Sequence, residues 1–271
     1  MTRKLSVAHL TAITLSPPDF IEAAARAGFD GVGLRLIRVT DSSPGYPLMS
    51  DRAMMRQTRA ALAATGLSVG DIEFVKITPE TQPKELRPFL DAGAELEARH
   101  VITAPYDPDL GRLAETLAAI DALAADRGLG TVLEFFPWTV LPDLATAMQV
   151  VEAAGPRIGI LPDALHFNRS ASRLDDLRAL PRHRVPFAHL CDAPVQPRYS
   201  ETELLRAARD ERLAPGEGEI DLDEFLAALP RNLPLALEVP MTGLLNERGA
   251  DAVLTRVITA CRAFRQAETQ E

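Results

Sequence analysis

Four acidic or imidazole side chains each close a short strand-like run in the second half of the chain. Glu134 follows Leu133, Asp163 follows Pro162, His189 follows Ala188 and Glu238 follows Leu237. Three carboxylates and one imidazole make a ligand set suited to a hard or borderline divalent cation: Mn²⁺ first, with Mg²⁺, Co²⁺ or Zn²⁺ as alternatives. The expected use of such an ion is catalytic. Taken singly, each residue has a plainer reading. Glu134 or Glu238 could cap a helix, Asp163 could be the N-cap of 165–167, and His189 could be a satisfied core histidine. Taken together, carboxylates behind apolar residues would repel one another and lose hydration if buried without a cation.

The chemistry open to such a site is proton transfer next to a carbonyl. An α-hydroxyketone chelates a divalent ion, which stabilises the enediolate formed when the intervening C–H loses its proton. Glu134 and Glu238 come from different strands and can flank the substrate plane, one removing a proton and one returning it. Return to the neighbouring carbon is isomerisation, return to the opposite face is epimerisation, and loss of a β-hydroxyl is dehydration. The ligand set does not choose among the three.

Other residues are weaker candidates. Arg198 and Arg212 fall in loops after the seventh strand and are substrate-binding candidates for a hydroxyl or carboxylate, with a solvated arginine as the alternative. Asp192 could orient an imidazole or cap a turn. Phe135, Phe136 and Trp138 could form an apolar wall or simply pack above the barrel. His9, Glu73 and Tyr106 lie near strand ends with no distinguishing spacing. The Gly-rich stretch Pro215-Gly216-Glu217-Gly218-Glu219 is acidic and would repel phosphate, so the expected substrate is an unphosphorylated keto-sugar or cyclitol.

Positioning four such residues requires a repeated unit. Strand-like runs occupy residues 4–9, 30–37, 67–74, 99–103, 131–135, 157–161, 185–190 and 234–239. Stretches with apolar residues at three- and four-residue intervals occupy 20–27, 52–64, 84–98, 113–125, 143–153, 174–180, 221–229 and 250–266. Gly28, Gly66, Gly128 and Gly155 stand where helices end, and Pro17, Pro83 and Pro142 near where they begin. Eight strand–helix units predict an α/β fold, a single (β/α)8 TIM barrel spanning 1–271, with the ligand candidates at the C-terminal strand ends. Residues 38–50, 106–110, 193–200 and 212–219 read as irregular walls or lids on that face.

Composition narrows the class. The chain has 271 residues, 46% hydrophobic and 25% charged, which argues against disorder. A formal charge of −9 disfavours a nucleic-acid partner. The only cysteines, Cys191 and Cys261, form no CxxC pair, which fits a reducing cytoplasm. Residues 1–15 read as a first strand, and no apolar run approaches the roughly 20 residues of a membrane helix. Assembly into a homo-oligomer is left open.

Several segments together resemble a known family. They are Leu133-Glu134-Phe135-Phe136-Pro137, Leu161-Pro162-Asp163-Ala164-Leu165-His166-Phe167, Ala188-His189-Leu190-Cys191-Asp192, the stretch 210–222 and Ala236-Leu237-Glu238. The chain resembles the xylose-isomerase-like TIM-barrel superfamily of sugar isomerases and epimerases, and 210–222 looks most like the inosose isomerases. The resemblance implies that Glu134, Asp163, His189 and Glu238 hold the metal, that Glu134 and Glu238 double as acid/base groups, and that His166 touches substrate. Dehydroshikimate dehydratases of this superfamily carry a histidine two residues after the glutamate, where this chain has Phe136. Its endonuclease IV enzymes use a three-zinc cluster, for which five histidines hardly suffice. A lyase on a related keto compound is the second expectation, and an inactive metal-binding partner subunit the third.

Overall fold

Short runs rich in branched and leucine side chains, each ended by a turn, form eight strands in this computed structural model, which describes residues 3–40 and 43–268. They are β1 (Leu5–Val7), β2 (Gly31–Arg35), β3 (Ser68–Ile77), β4 (His100–Pro105), β5 (Gly130–Glu134), β6 (Gly159–Leu161), β7 (Ala188–Leu190) and β8 (Leu235–Leu237). The helices are α1 (Pro17–Ala27), α2 (Arg52–Thr65), α3 (Arg87–Glu95), α4 (Leu110–Ala125), α5 (Leu144–Ala154), α6 (Ala164–Asn168), α7 (Leu174–Ala179), α8 (Glu201–Arg209), α9 (Leu222–Ala227), α10 (Thr242–Arg248) and α11 (Ala250–Glu268).

The strands pair in parallel in the order β6-β5-β4-β3-β2-β1-β8-β7. Since β1 pairs with both β2 and β8, the sheet curls round on itself. Its ends meet through a parallel bridge between Asp163 and His189, where the His189 N–H donates to the Pro162 carbonyl at 2.9 Å. The expected (β/α)8 barrel is the fold. Among the described residues, no helix is long and apolar enough to cross a membrane.

The turn chemistry follows the sequence. Gly28, Gly66, Gly128 and Gly155 all adopt positive φ where a helix gives way to the next strand, a conformation that costs other residues steric strain. Helix α6 begins at the Asp163 N-cap that was one of the two readings of that residue, whereas α8 and α10 were not anticipated. Each lies on the face where strands end, and α8 carries a capping box, with Ser200 Oγ accepting from the Glu203 N–H and the Glu203 carboxylate accepting in return. That box starts an ordered helix directly after the expected irregular stretch 193–200. Asp41 and Ser42, within the expected loop 38–50, lie outside the described residues.

Two apolar clusters hold the barrel. The larger lies between strands and helices, and includes Phe20, Val32, Leu34, Leu90, Leu117 and Leu254. The smaller joins Ile102, Val132, Leu161, Phe187 and Ala236. Side chains from five strand segments can meet only inside the barrel, so those residues define its inward face. Inward residues recur every second position along a strand. Val132, Leu161, Phe187 and Ala236 therefore send Glu134, Asp163, His189 and Glu238, each two residues on, toward the same axis. Strand β2 follows the same rule: Val32 and Leu34 join the outer core, leaving Gly31, Gly33 and Arg35 inward.

Close approach explains two of these residues. A Cβ at Gly33 would sit 2.5 Å from Asp71 Oδ1, and one at Gly31 only 2.7 Å from the Ser68 carbonyl oxygen of β3. By contrast, a Cβ at Gly70 would meet nothing nearer than 3.7 Å. Gly31→Ala is expected to lower stability by about 1–3 kcal/mol, because β2 and β3 must part. Gly70→Ala is expected to be neutral or stabilising by up to about 1 kcal/mol. Urea midpoints of the two variants decide this, and equal midpoints would contradict the packing described.

Candidate metal centre

The four side chains meet. One donor atom each from Glu134, Asp163, His189 and Glu238 lies within 4.8 Å of all the others, and all four residues are buried. His189 Nδ1 stands 3.7 Å from Glu134 Oε1, 3.6 Å from Asp163 Oδ2 and 3.6 Å from Glu238 Oε2. These separations are too long for N–H···O hydrogen bonds. They match ligand atoms around a common ion, since tetrahedral bonds of about 2.0–2.2 Å put ligand atoms about 3.3–3.6 Å apart. Both ring nitrogens of His189 and Glu134 Oε1 are buried without a hydrogen-bond partner, which an ion would explain for the two atoms facing the centre. The donor set therefore fits a divalent cation.

Asp163 divides its two oxygens between tasks. Oδ1 accepts from the backbone N–H groups of Leu165 and His166, capping α6, while Oδ2 faces His189 and Arg212. The cap and the ligand candidate, alternatives in the sequence, coexist in one carboxylate.

Arg212 is no solvated loop arginine. It is 2% exposed and donates to Asp163 Oδ2 and to Glu238 Oε2, each at 2.7 Å. It also reaches the Glu238 and Ala208 carbonyls. Its charge sets the state of its neighbours. Burial alone would raise both carboxyls, yet Arg212 holds Asp163 well below the usual range and, with His189, Glu238 at about 2. Glu134 lacks this partner, and burial pushes it up to about 7. Burial opposes charge on His189, but Glu238, Asp163 and Glu134 outweigh it and raise its pKa well above the ordinary value.

A cavity of about 440 Å³ opens beside the cluster. Glu134, Glu238, His166 and Arg212 all line it. His166 stands edge-on to Phe136 and Trp138, with ring centroids 4.8 and 5.2 Å away, and its Nε2 is 3.9 Å from Glu134 Oε1. Burial lowers its pKa to about 4, so the ring is neutral near pH 7. Phe136, Trp138, Phe74 and Tyr106 form an aromatic wall, and the Trp138 indole donates to the Tyr106 hydroxyl at 3.3 Å. Phe135 instead packs in the outer core. Arg198 is exposed and stands outside the cavity lining, because the 193–200 segment runs over the surface.

Asp192 caps a turn. Its Oδ1 accepts from the N–H groups of Ala193 and Ile220, and its Oδ2 from those of Gly216 and Gly218. Gly218 has no side-chain room, since a Cβ would lie 2.4 Å from that carboxylate. Two glycines of the acidic stretch thus serve one carboxylate, which pins the 216–220 backbone.

Two residues of the cavity wall carried no usable sequence signal. Arg35 on β2 and Glu73 on β3 are buried and paired, with Nη2 3.2 Å from Oε2. The signal available was position: Arg35 continues the inward face of Gly31 and Gly33, and Glu73 that of Asp71.

Known proteins resemble this chain in sequence and fold. A family model described as a xylose isomerase-like TIM barrel matches residues 21–255. An inosose isomerase of Bacillus velezensis is 29% identical over 156 residues, 54% of this chain and 54% of that protein. A 3-dehydroshikimate dehydratase of Pseudomonas putida is 26% identical over 241 residues, 82% of this chain but 36% of that protein. The chain thus spans about half the length of the first relative and about a third of the second. In fold it resembles the 1.8 Å crystal structure of IOLI protein with a binding zinc atom, with a TM-score of 0.79 at 16% identity, covering 96% of this chain and 97% of that one.

Two outcomes follow for metal-free protein. Arg212→Met leaves two buried carboxylates unpaired and is expected to cost about 3–5 kcal/mol in urea unfolding, with a divalent ion restoring part of the loss. A loss below about 1 kcal/mol would remove Arg212 from this role. Glu134 and Asp71, pushed up to about 7 and about 8 by burial, bind their protons more tightly folded than unfolded. Their contribution is complete below about pH 4 and is lost as pH rises through 7 to 8. Urea midpoints in chelator should fall across that range. Added ion should abolish the step near 7 and leave the one near 8.

Proposed function

The chain belongs to the xylose isomerase-like TIM-barrel family, and from that premise we propose that it is a divalent-metal-dependent isomerase or epimerase of an unphosphorylated keto-sugar or keto-inositol. The observation carrying this reading is that Glu134 and Glu238 face both the candidate centre and the cavity. A structural ion would be enclosed by its ligands, whereas a catalytic one keeps a side open. Asp163 and His189 sit behind, away from the lining.

Glu134, Asp163, His189 and Glu238 hold the ion, for which Mn²⁺ is the first expectation. When bound, it supplies Lewis acidity that stabilises negative charge developing on a substrate carbonyl oxygen. Glu134 and Glu238 approach from β5 and β8 and exchange the proton of the carbon next to that carbonyl. Neutral His166, held edge-on by Phe136 and Trp138, offers a ring nitrogen to a substrate hydroxyl. Arg212 fixes the Asp163 and Glu238 oxygens, so the two carboxylates need not reorganise during proton transfer. It also lines the cavity and is the substrate-contact arginine of this reading; exposed Arg198 has a part only if its segment folds over the bound substrate. The aromatic wall shields the proton from bulk water. A cytoplasmic enzyme acting on a small molecule, without nucleic acid, completes the reading.

A dehydratase acting on a related keto compound is the second reading, favoured by the relative that aligns with 82% of this chain. Both readings share removal of the same proton. Ion-loaded protein in D₂O, offered keto-sugars, inososes and 3-dehydroshikimate, is expected to exchange deuterium into one of them without creating a double bond. Unsaturation would establish the lyase instead. Glu134→Gln and Glu238→Gln should each slow exchange by about 10²–10⁴-fold. Undiminished exchange in either variant would take that glutamate out of the chemistry.

A further inference from the structure

On the side of the barrel formed by β2 and β3, away from the strands that carry the metal candidates, the cavity wall holds the Arg35–Glu73 pair. Their side chains are 8% and 3% exposed, and one contact at 3.2 Å joins them. Each keeps a buried polar atom with no hydrogen-bond partner: Nε of Arg35, a donor, and Oε1 of Glu73, an acceptor. Natural interiors rarely leave such atoms unmet, and on a cavity wall water or a ligand meets them.

The pair is held in place. His9 lies between Phe20 and Tyr46, with centroids 4.4 and 5.1 Å away. Its Nε2–H donates to the Leu15 carbonyl, which leaves Nδ1 to accept the Arg35 backbone N–H at 3.1 Å. The Arg35 guanidinium lies 5.7 Å from the Phe74 ring centre. A wall fixed this way meets its ligand without rearranging.

Resting on the isomerase or epimerase reading, we propose that Arg35 and Glu73 read a hydroxyl on the far end of the substrate and select a neutral keto-polyol over a carboxylate-bearing one. A hydroxyl gives one hydrogen bond and takes others, so it can donate to Glu73 Oε1 while accepting from Arg35 Nε. A carboxylate only accepts, and the guanidinium it would need is already engaged by Glu73. The pair thus offers matched partners to one class and no free cation to the other.

Titration calorimetry of ion-loaded protein with myo-inositol, a cyclic polyol, and quinate, a cyclic polyol acid, tests this. Wild type is expected to bind myo-inositol about ten-fold or more tightly than quinate. Glu73→Gln keeps the shape, frees the arginine charge and should shift that ratio about ten-fold toward quinate. Arg35→Met should weaken myo-inositol, and circular dichroism checks that both variants fold. Quinate bound as well as myo-inositol by wild type, neither probe bound, or a ratio unchanged within two-fold in Glu73→Gln would each overturn the pair's role. Deuterium exchange stands apart: exchange with a failed ratio sinks the pair alone, whereas an intact ratio without exchange sinks the isomerase reading alone.

Discussion

Burying three carboxylates at one point is the constraint around which this molecule is arranged. Glu134, Asp163 and Glu238 converge on His189 in the barrel interior, where like charges repel strongly and water cannot screen them. Arg212 answers part of that repulsion through Asp163 and Glu238, leaving Glu134 as the uncompensated member. Glu134 Oε1 and the His189 ring, left without hydrogen-bond partners among these donors, mark where a divalent ion could sit. Alternation of side chains delivers this geometry, since every donor stands two residues beyond a member of the inner apolar cluster.

The barrel and the centre are tied together more closely than strand pairing alone requires. The ring of strands closes through the Asp163–His189 bridge, so two of the four candidate ligands are also the seam of the sheet. Asp163 adds the cap of α6, which carries His166 into the cavity. One carboxylate therefore connects sheet closure, helix start, arginine pairing and donor position.

Much of this was legible in the sequence because it depends on local pattern. Eight apolar runs with helical stretches between them gave the barrel, and Glu134, Asp163, His189 and Glu238 stood at matching strand ends. The burial of Arg212 was not legible, since a loop arginine after a strand looks like any solvated one until β6 and β8 place carboxylates around it. Arg35 and Glu73 were hidden for the same reason: their pairing depends on the register of β2 against β3, where Arg35 lies opposite Glu73. Helices α8 and α10 escaped because short segments carry little periodicity, although the Ser200 and Glu203 pattern was there to be read.

Asp192 holds residues 216–220 through backbone N–H groups alone. Such an attachment does not involve the side chains of Glu217 and Glu219, whereas Gly216 adopts φ +85°, Gly218 has no room for a Cβ and Ile220 packs in the core. Exchanges at those two glutamates would therefore leave the 216–220 backbone anchored to Asp192.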